Sequence, residues 1–445
     1  MGRALLTDLY ELNMAASYLR RGMTQPATFS LFVRDLPERW GFLVACGLDR
    51  CLDYLESLRF TDEDLDYLRR EVRYPEGTLE AFRNLRFTGH VRAVPEGRVV
   101  FPDEPLLEVT APLPEAQLVE TYLLNQVTYQ TAVASKAARC RLAAPEATMV
   151  DFSFRRVHGA EAGLGVARAT AIAGFAATSN VEAARVLGLR ATGTMAHSYV
   201  EAFPSEAEAF RAFAEDFPDR VTLLVDTYDT RRGVAKAIEM AREPGGPGAI
   251  KLQAIRLDSG DLETLAKDAR RALDEAGLRH VRILASGGLD EHVISRLAVA
   301  GAPIDSFGVG TKIGVAEDAP ALDSVYKLVE YGGDPVCKLS AAKATLPAPK
   351  QVWRRRGMTG DVIGLAEERD PPDTESLLTT VMRGGHREGE DSVASAVGRF
   401  AADMDALPTE LRSLDKPGHY PVDRSEPLKR LAREVRDRIR ARELA

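Results

Sequence analysis

The amino-acid sequence predicts an α/β fold in which an irregular (β/α) barrel is joined to an α+β domain. Three observations support this prediction: short apolar runs recur through the middle of the chain, segments of helical composition separate most of them, and the two flanks lack this alternation. Strands buried on both faces read as continuous apolar runs, and their alternation with helices indicates a parallel sheet. At 445 residues the chain is also long for a single core.

Apolar, β-branched runs make up the predicted barrel, and each is followed by Gly, Ser, Asp or Thr. They lie at 147–154, 188–194, 221–229, 252–260, 281–288, 304–311 and 324–331. A series of such units favours a closed, irregular barrel over a doubly wound sheet. We therefore place the barrel domain at residues 116–335.

The flanking segments, 1–115 and 336–445, are predicted to combine into one α+β domain. The first contains a helical stretch, DLYELNMAASYLRRG, and the strand-like run ATFSLFVRDLP. The second contains the strand-like runs VCKLSAAKATLPAPKQVWRRR and TGDVIGLAEE and ends in a charged amphipathic helix, EPLKRLAREVRDRIRAREL. The barrel is thus expected to be inserted between two halves of the α+β domain.

Composition argues against several functional classes. A net charge of −8 is unlike that of nucleic-acid-binding proteins, which usually carry a basic excess or patch. The start of the chain does not resemble a signal peptide, and no uncharged apolar run approaches the ~20 residues that span a membrane. The four cysteines have no CxxC spacing, which is typical of reduced thiols in a cytoplasmic enzyme. The histidines form no HxH or HxxxH pair, so no zinc site is expected.

Two glycine-rich loops follow consecutive predicted strands, ASGGLDE at 285–291 and FGVGTK at 307–312. Their glycines let backbone N–H groups approach an anion, and phosphate sites of barrel enzymes often follow the last strands. The residues predicted to bind phosphate are Ser286, Gly287, Gly288, Gly308, Gly310 and Thr311. The alternative is that these glycines serve ordinary turns.

Charged residues end two other predicted strands. IRLDSGDL, at 255–262, contains Arg256 and Asp258, and LVDTYDTRRG, at 224–233, contains Asp226. Charged groups at a buried strand end are costly unless they are paired or used. Carboxylates in this position can bind a ribose diol or Mg²⁺. The alternative is that acidic residues here cap the helices that follow.

An aromatic and cationic stretch, VDFSFRRVHGAEAG at 150–163, ends a further strand. Phe152 and Arg155 suit a flat anionic ring, through stacking and a bidentate contact with a carboxylate. Core aromatic residues beside surface arginines fit the same spacing equally well.

A histidine follows a small Gly-Thr-Met-Ala turn in GLRATGTMAHSYVEAF, at 188–203. His197 is therefore expected in a loop between a strand and a helix, where α/β enzymes place their chemistry. A polar loop histidine without a role is the alternative.

Taken in order, these motifs resemble those of the nicotinate phosphoribosyltransferases, a family of type II phosphoribosyltransferases. The resemblance runs from TDLYELNM through DFSFRR, GTMAHSYVEAF, IRLDSGDL and SGGLDE to FGVGTKI and KLSAAKATLPAPKQVWR. It implies that nicotinate and 5-phosphoribosyl 1-diphosphate (PRPP) give nicotinate mononucleotide and diphosphate, with ATP as co-substrate and Mg²⁺ as cofactor. It also implies a homodimer with active sites at the interface.

The resemblance also implies roles for single residues. His197 matches a histidine that ATP phosphorylates. Tyr10 matches a tyrosine that stacks on the pyridine ring from the partner subunit, opposite Phe152. Arg155 matches the arginine beside that ring.

The remaining roles concern the sugar and the phosphates. Arg256 and Asp258 match the pair at the ribose, and the two glycine-rich loops would hold the 5′-phosphate. Asp226 and Asp258 are the expected Mg²⁺ ligands. A downstream basic motif is expected to reach phosphates of ATP or diphosphate through Lys338, Ser340, Lys343 and Lys350.

Ser179 bears on the choice of base. The nicotinamide-using relatives carry an aspartate at this position in GFAATSNVEAA. A carboxylate accepts from an amide and repels a ring carboxylate, whereas a serine hydroxyl can donate to one. Ser179 therefore favours nicotinate.

Three alternatives remain open at this point. A quinolinate phosphoribosyltransferase would need a more cationic pocket for two carboxylates and would lack the ATP-linked histidine. A sugar-phosphate aldolase or isomerase would use similar phosphate loops but normally needs a lysine or carboxylate base at a strand end, and Lys312 follows only the sixth run. A non-catalytic scaffold would have no use for so many charged residues and glycines at strand ends.

Overall fold

The computed structural model describes residues 3–242, 251–339 and 345–444. The chain divides into two compact units, one formed by Met1–Ser135 with Asp318–Ala445 and the other by Lys136–Glu317. The predicted class, α/β with an irregular barrel unit and an α+β unit built from both flanks, is confirmed, although the six-stranded parallel sheet of the described residues has two end strands and does not close into a complete barrel. The units divide after residues 135 and 317, whereas the sequence places the domain boundaries after 115 and 335.

The N-terminal flank alternates short helices with antiparallel strands. Its helices are α1 (Leu9–Arg20), α2 (Leu48–Ser57), α3 (Asp62–Tyr67), which a π-helical turn (Leu68–Val72) extends, α4 (Glu76–Asn84) and α5 (Leu113–Leu118). Its strands are β1 (Pro26–Val33), β2 (Leu43–Val44), β3 (His90–Ala93), β4 (Val99–Val100) and β5 (Pro105–Pro112).

The central segment alternates strands with helices, as its sequence predicts. Its strands are β6 (Thr148–Asp151), β7 (Ala177–Thr178), β8 (Val221–Leu224), β9 (Leu252–Leu257), β10 (Arg282–Ser286) and β11 (Ser306–Val309). Its helices are α6 (Glu120–Ala143), α7 (Ala160–Ile172), α8 (Val181–Leu187), α9 (His197–Glu201), α10 (Glu206–Asp216), α11 (Thr230–Arg242), α12 (Leu262–Glu275), α13 (Glu291–Val299) and α14 (Thr311–Gly314). Helix α6 begins in the first unit and ends in the second.

The strands of the central segment form one parallel sheet in the order β7-β6-β11-β10-β9-β8. Their inner residues are buried, as expected for strands covered by helices on their faces. All six carboxyl ends therefore lie along one edge of the sheet.

The run at 188–194, predicted as a strand, is not one. The segment forms no regular strand, and its β-pairing is an isolated bridge between Thr178 and Ala191. The end strand on this side of the parallel sheet is β7, which pairs with Val150 and Asp151 of β6. Because glycines interrupt the run at both ends, it lacks the length of β-branched residues that sustains a strand.

The C-terminal flank adds mostly antiparallel strands and two helices. Its strands are β12 (Ser324–Tyr331), β13 (Asp334–Pro335), β14 (Lys350–Arg355), β15 (Asp361–Leu365), β16 (Thr374–Ser376), β17 (Thr379–Arg383), β18 (His386–Arg387) and β19 (Val422–Arg424). Its helices are α15 (Val393–Ala406) and α16 (Glu426–Glu443), the second as predicted. The flanks together build sheets in the orders β13-β12-β1-β5-β3-β17-β18, β16-β14-β15-β19 and β2-β4.

Strand β12 corrects the prediction that 324–331 belongs to the barrel. It pairs antiparallel with β1, opposite Leu31 at Tyr326, and the ring of Tyr326 stacks on Phe29 with centroids 4.8 Å apart. A run in which about half of the residues are apolar fits an antiparallel strand with one covered face as well as it fits a strand of a parallel sheet. Hydrophobicity alone therefore did not distinguish the two types of strand.

No helix of the described segments 3–242, 251–339 and 345–444 is long and apolar enough to span a membrane.

Candidate active site

The carboxyl edge of the parallel sheet collects most of the predicted site residues. The residues in question follow or end the strands in this order: Phe152 (β6), Ser179 (β7), Asp226 (β8), Arg256 and Asp258 (β9), Ser286 and Gly287 (β10), Gly308 and Gly310 (β11). Parallel pairing brings these loops together although the residues are far apart in sequence.

Arg256, Asp258 and Ser286 form one hydrogen-bonded unit at the centre of this edge. Arg256 donates from Nη2 to Asp258 Oδ1 (2.6 Å) and from Nε to Ser286 Oγ (2.8 Å). The Ser286 hydroxyl donates to Asp258 Oδ1 at 2.5 Å. Arg256 Nη1 reaches Thr194 Oγ1 (3.2 Å) and the carbonyl of Met195 (3.4 Å). These last two hydrogen bonds connect the guanidinium to the loop that leads to His197.

These contacts set the charge of Asp258. Burial acts to raise the pKa of its carboxyl, but the hydrogen bond from Ser286 and the charge of Arg256 outweigh burial and hold the pKa below its ordinary value. Asp258 is therefore a carboxylate throughout the neutral range.

The structure does not favour the predicted contact of the Ser286 side chain with phosphate. The side chain is almost fully buried, and its proton is directed at Asp258. A role in orienting Arg256 and Asp258 fits this geometry better.

Asp226 is tied to the same cluster through one carboxylate oxygen. Its Oδ2 accepts from the backbone N–H of Asp258 (2.9 Å) and from the Ser259 hydroxyl (2.7 Å). Its Oδ1 is buried and has no hydrogen-bond partner among the described residues. A buried, unpartnered carboxylate oxygen is a suitable ligand for a hard cation.

The donor set fits Mg²⁺ only if substrate completes it. Within the described part of the chain no group of three or more His, Cys, Asp or Glu side chains could hold a metal ion. Mg²⁺ commonly binds through one or two carboxylates together with substrate phosphates and water. Asp226 and Asp258 match that pattern.

His197 is the first residue of α9, at the same edge. Its Nδ1 lies 3.1 Å from Thr227 Oγ1, and its Nε2 lies 3.9 Å from Asp258 Oδ2. The side chain is 41% exposed, so solutes have access to the ring. The sequence placed His197 in a loop between a strand and a helix, whereas the residue begins a short helix and no strand ends just before it.

Phe152 lies close to a cation and to a glycine. The guanidinium carbon of Arg256 lies 5.4 Å from the centroid of its ring. A Cβ on Gly308 would lie 2.5 Å from two ring carbons, so only glycine leaves the ring its present place. Gly308 therefore serves the aromatic side chain rather than a turn.

Gly287 and Gly288 have left-handed backbone conformations, with φ of +89° and +62°. A Cβ on Gly287 would lie 1.9 Å from the carbonyl oxygen of Asp258, which excludes any side chain there. The backbone N–H groups of Gly287, Gly288 and Gly310 donate to no group that the described residues provide. Both loops thus present free donors, as an anion site requires.

Two residues that hold parts of the candidate site in place were not singled out from the sequence. Thr227 holds the ring of His197. Asp151, almost fully buried, accepts from the N–H and hydroxyl of Ser153 (2.8 and 2.5 Å) and from the Thr178 hydroxyl (2.7 Å), and its carbonyl accepts from Ser179 N–H (2.8 Å). Asp151 thereby fixes the loops that carry Phe152 and Ser179. Its position at the end of an apolar run was the available signal.

Other predicted site residues have fewer contacts. Arg155 is exposed in a short 3₁₀ turn, and Thr311 is exposed at the start of α14. Tyr10 lies on α1 of the first unit with 49% of its surface exposed. These three side chains are accessible to solutes.

The basic motif needs a correction. Lys350 does not face solvent: it is buried, its Nζ donates to the carbonyl of Ala348 (2.7 Å) and lies 3.4 Å from Glu108 Oε1. It therefore stabilises the interior of the first unit and cannot reach a phosphate. Lys338 is exposed, and Ser340 and Lys343 lie outside the described residues.

Two family models match the chain. Residues 5–128 match the N-terminal domain of nicotinate phosphoribosyltransferase, and residues 147–350 match the nicotinate phosphoribosyltransferase family.

Individual proteins are similar over nearly the whole length. A nicotinate phosphoribosyltransferase of Mycobacterium tuberculosis is 48% identical over 425 residues, which cover 94% of this chain and 91% of the relative. That of Bacillus subtilis is 40% identical and covers 95% and 93%. The crystal structure of human nicotinic acid phosphoribosyltransferase superposes with a TM-score of 0.86 at 30% identity, covering 96% of this chain and 99% of that one.

Proposed function

The chain belongs to the nicotinate phosphoribosyltransferase family, and we propose that its active site is the cluster at the carboxyl edge of the parallel sheet. The enzyme transfers the phosphoribosyl group of PRPP to the ring nitrogen of nicotinate, giving nicotinate mononucleotide and diphosphate. This reaction is the first step of NAD salvage from nicotinate.

One observation carries the assignment of the site. The Arg256–Asp258–Ser286 unit lies beside two loops whose N–H groups are free, and His197 Nε2 is 3.9 Å from Asp258 Oδ2. Donors for an anionic sugar phosphate, a fixed carboxylate and a nucleophilic ring nitrogen thus lie close together.

Nicotinate would bind against Phe152. The ring contacts Arg256 and Gly308 and is half-buried, and a pyridine ring would stack on its accessible part. The exposed guanidinium of Arg155 would pair with the nicotinate carboxylate. By family resemblance Tyr10 of the partner subunit would close the other side of the base.

PRPP would bind across β9 to β11. The free N–H groups of Gly287, Gly288 and Gly310, with the Thr311 hydroxyl, would hold the 5′-phosphate. Asp258, kept ionised by its neighbours, would accept from the ribose hydroxyls. Its negative charge would also stabilise the positive charge that develops at the anomeric carbon when diphosphate leaves.

Asp226 and Asp258 are the residues that would hold Mg²⁺, through Asp226 Oδ1 and Asp258 Oδ2. Bound Mg²⁺ would supply charge neutralisation for the departing diphosphate. The pyridine nitrogen attacks as a free base, so the transfer needs no general base.

His197 would couple the reaction to ATP. Its imidazole nitrogen attacks the γ-phosphorus of ATP, the N–P bond forms, the bond to the bridging oxygen breaks, and the electron pair leaves with ADP. The resulting phosphohistidine lies beside Asp258 and changes the charge next to the diphosphate. Water later hydrolyses the N–P bond and releases phosphate.

The protein is further proposed to act in the cytoplasm as a homodimer. Support comes from its cysteine usage and from the exposed Tyr10, which in the family serves the neighbouring active site.

The test of this function is a product assay with pure protein, PRPP and Mg²⁺. Nicotinate should give nicotinate mononucleotide, with ATP raising the yield, whereas nicotinamide and quinolinate should give little product. Preference for quinolinate, or conversion of a sugar phosphate without any base, would contradict the proposal.

Base choice can be tested at Ser179. This residue lies at the end of β7, and its N–H is fixed by Asp151. In the Ser179→Asp variant a carboxylate would repel the nicotinate carboxylate, so kcat/KM for nicotinate should fall by about tenfold or more while that for nicotinamide rises. Ser179→Ala, which adds no charge, is the matched control. Unchanged kcat/KM for both bases in Ser179→Asp would contradict the assignment.

A further inference from the structure

One ion pair joins the two glycine-rich loops. Asp290 ends the loop after β10, and Lys312 follows the loop after β11. Lys312 Nζ lies 2.6 Å from Asp290 Oδ2. The two side chains are 13% and 28% exposed, so this contact is much less solvated than a typical surface pair.

Each oxygen of the Asp290 carboxylate has its own partner. Oδ1 accepts from the backbone N–H of Val293 at 2.8 Å and thereby caps α13, while Oδ2 accepts from Lys312. Burial acts to raise the pKa of Asp290, but the hydrogen bonds from Lys312 and Val293 outweigh it and hold the pKa below its ordinary value. One carboxylate thus connects the start of a helix with the neighbouring loop.

Resting on the function proposed above, we propose that Asp290 and Lys312 are a pair of positioning residues for PRPP. The pair fixes the distance between the free N–H groups of Gly287 and Gly288 on one loop and that of Gly310 on the other. A phosphate bound by both loops needs these donors at a fixed separation, and preformed donors lose less on binding than donors that must be ordered first.

The obvious alternative is that Lys312 itself binds the phosphate. Its ammonium is already committed to Asp290, and Glu317 Oε2 lies 3.7 Å away on its other side. Two carboxylates around one ammonium leave no net positive charge for an anion. The geometry therefore favours a structural tie over a direct ligand.

The alternatives differ in how two substitutions combine. Asp290→Asn keeps the cap, because asparagine is as good an N-cap as aspartate, but removes the ion pair. Lys312→Met removes the ammonium and keeps the aliphatic chain. If the residues act as one tie, each variant should raise the Kd for PRPP, measured by calorimetry with Mg²⁺, by about tenfold, and the double variant should be no weaker than either single one.

The kinetic readout separates positioning from general damage. The KM for PRPP should rise in both variants while kcat and the KM for nicotinate change by less than about twofold. Lys312→Arg, which keeps the charge pair, should restore PRPP binding. Equal thermal unfolding midpoints would establish that the variants remain folded.

Three outcomes would overturn the inference: tighter PRPP binding by Asp290→Asn, additive losses in the double variant, or equal losses for nicotinate and PRPP. Failure of the wild-type protein itself to bind PRPP would instead contradict the proposed function and, with it, this inference.

Discussion

At the scale of single residues, Asp258 has the most connections in the proposed site. It accepts from Arg256 and Ser286, its backbone N–H donates to Asp226, and it faces His197. Removing its charge would therefore affect the sugar site, the Mg²⁺ site and the histidine together. This makes Asp258 a poor probe of any one role, and substitutions at its neighbours are more informative.

Gly308 offers such a probe of the base site. In Gly308→Ala the added methyl group would lie 2.5 Å from the Phe152 ring, so the ring must move. Because a displacement of about 1 Å at a binding site can cost up to about 100-fold in rate, we expect kcat/KM for nicotinate to fall by at least tenfold. The measurement is steady-state kinetics with nicotinate varied at saturating PRPP.

Gly398→Ala is the matched control for Gly308→Ala, because nothing lies within 4 Å of a Cβ at this helical position in the other unit. It should retain wild-type kinetics. A Gly308→Ala enzyme with an unchanged kcat/KM for nicotinate would show that Phe152 does not contact the base.

Residue types at strand ends could be predicted from the sequence, whereas their partners could not. Polar and charged residues after apolar runs identified Arg256, Asp258 and Asp226 correctly as neighbours at one edge. The hydrogen bonds from Ser286 to Asp258 and between Thr227 and His197 depend on which strands are adjacent. Local composition does not predict the order of strands in a sheet. Lys350 was misjudged because a lysine in a basic motif can still be buried against a carboxylate.

At the scale of elements, burial on one or both faces decided which predictions failed. The central strands β6 and β8 to β11 have continuous apolar runs and were found near their predicted positions. The run at 188–194 is bounded by glycines, and β12 belongs to an antiparallel sheet, so hydrophobicity alone misplaced both. Pairing partners, which lie far away in sequence, determine such cases.

Helices α1 and α6 bring two acidic side chains together around Gln117 of α5, which predicts a pH dependence of stability. Gln117 Nε2 donates to Glu11 Oε2 (2.7 Å) and to Glu120 Oε2 (3.1 Å). Burial, and next the charge of Glu11, raise the pKa of Glu120 to about 7. This pKa lies above that of an unfolded glutamate, about 4.3. The contribution of protonated Glu120 to the free energy of unfolding is therefore complete at low pH and is lost as the pH rises through 7.

Glu120→Gln removes this titration while keeping an acceptor for Gln117. Relative to wild type, the thermal unfolding midpoint of the variant should therefore increase as the pH is raised from 5 to 8. Glu71→Gln, at an exposed position, is the control and should show no such trend. A constant difference between Glu120→Gln and wild type across this range would contradict the account.

At the scale of the whole molecule, the proposed homodimer makes a prediction that a monomer does not. If Tyr10 of one subunit stacks on the base bound at Phe152 of the other, Tyr10→Ala and Phe152→Ala each disable every site in their own dimers. A mixed dimer has one site with both aromatic residues. Random association should then restore about a quarter of wild-type activity, since half of the dimers are mixed and each has one intact site.

Co-expression of the two variants with different tags would provide the mixed dimers. Material purified through both tags contains mixed dimers only and should therefore have about half of wild-type activity. Co-expression of two copies of Tyr10→Ala is the control and should give no recovery. Absence of recovery in the mixed dimers would contradict a contribution of Tyr10 to the partner's site.

His197 is proposed to link ATP to the transfer reaction, and labelling of the protein with the γ-phosphate of ATP tests this link. Wild-type protein would be incubated with γ-labelled ATP and Mg²⁺, in parallel with His197→Ala, and the chain examined for acid-labile, base-stable phosphate. We expect label on the wild type alone, together with loss of ATP-stimulated nicotinate mononucleotide synthesis in the variant. Equal labelling of both proteins, or ATP stimulation that survives in His197→Ala, would contradict the account.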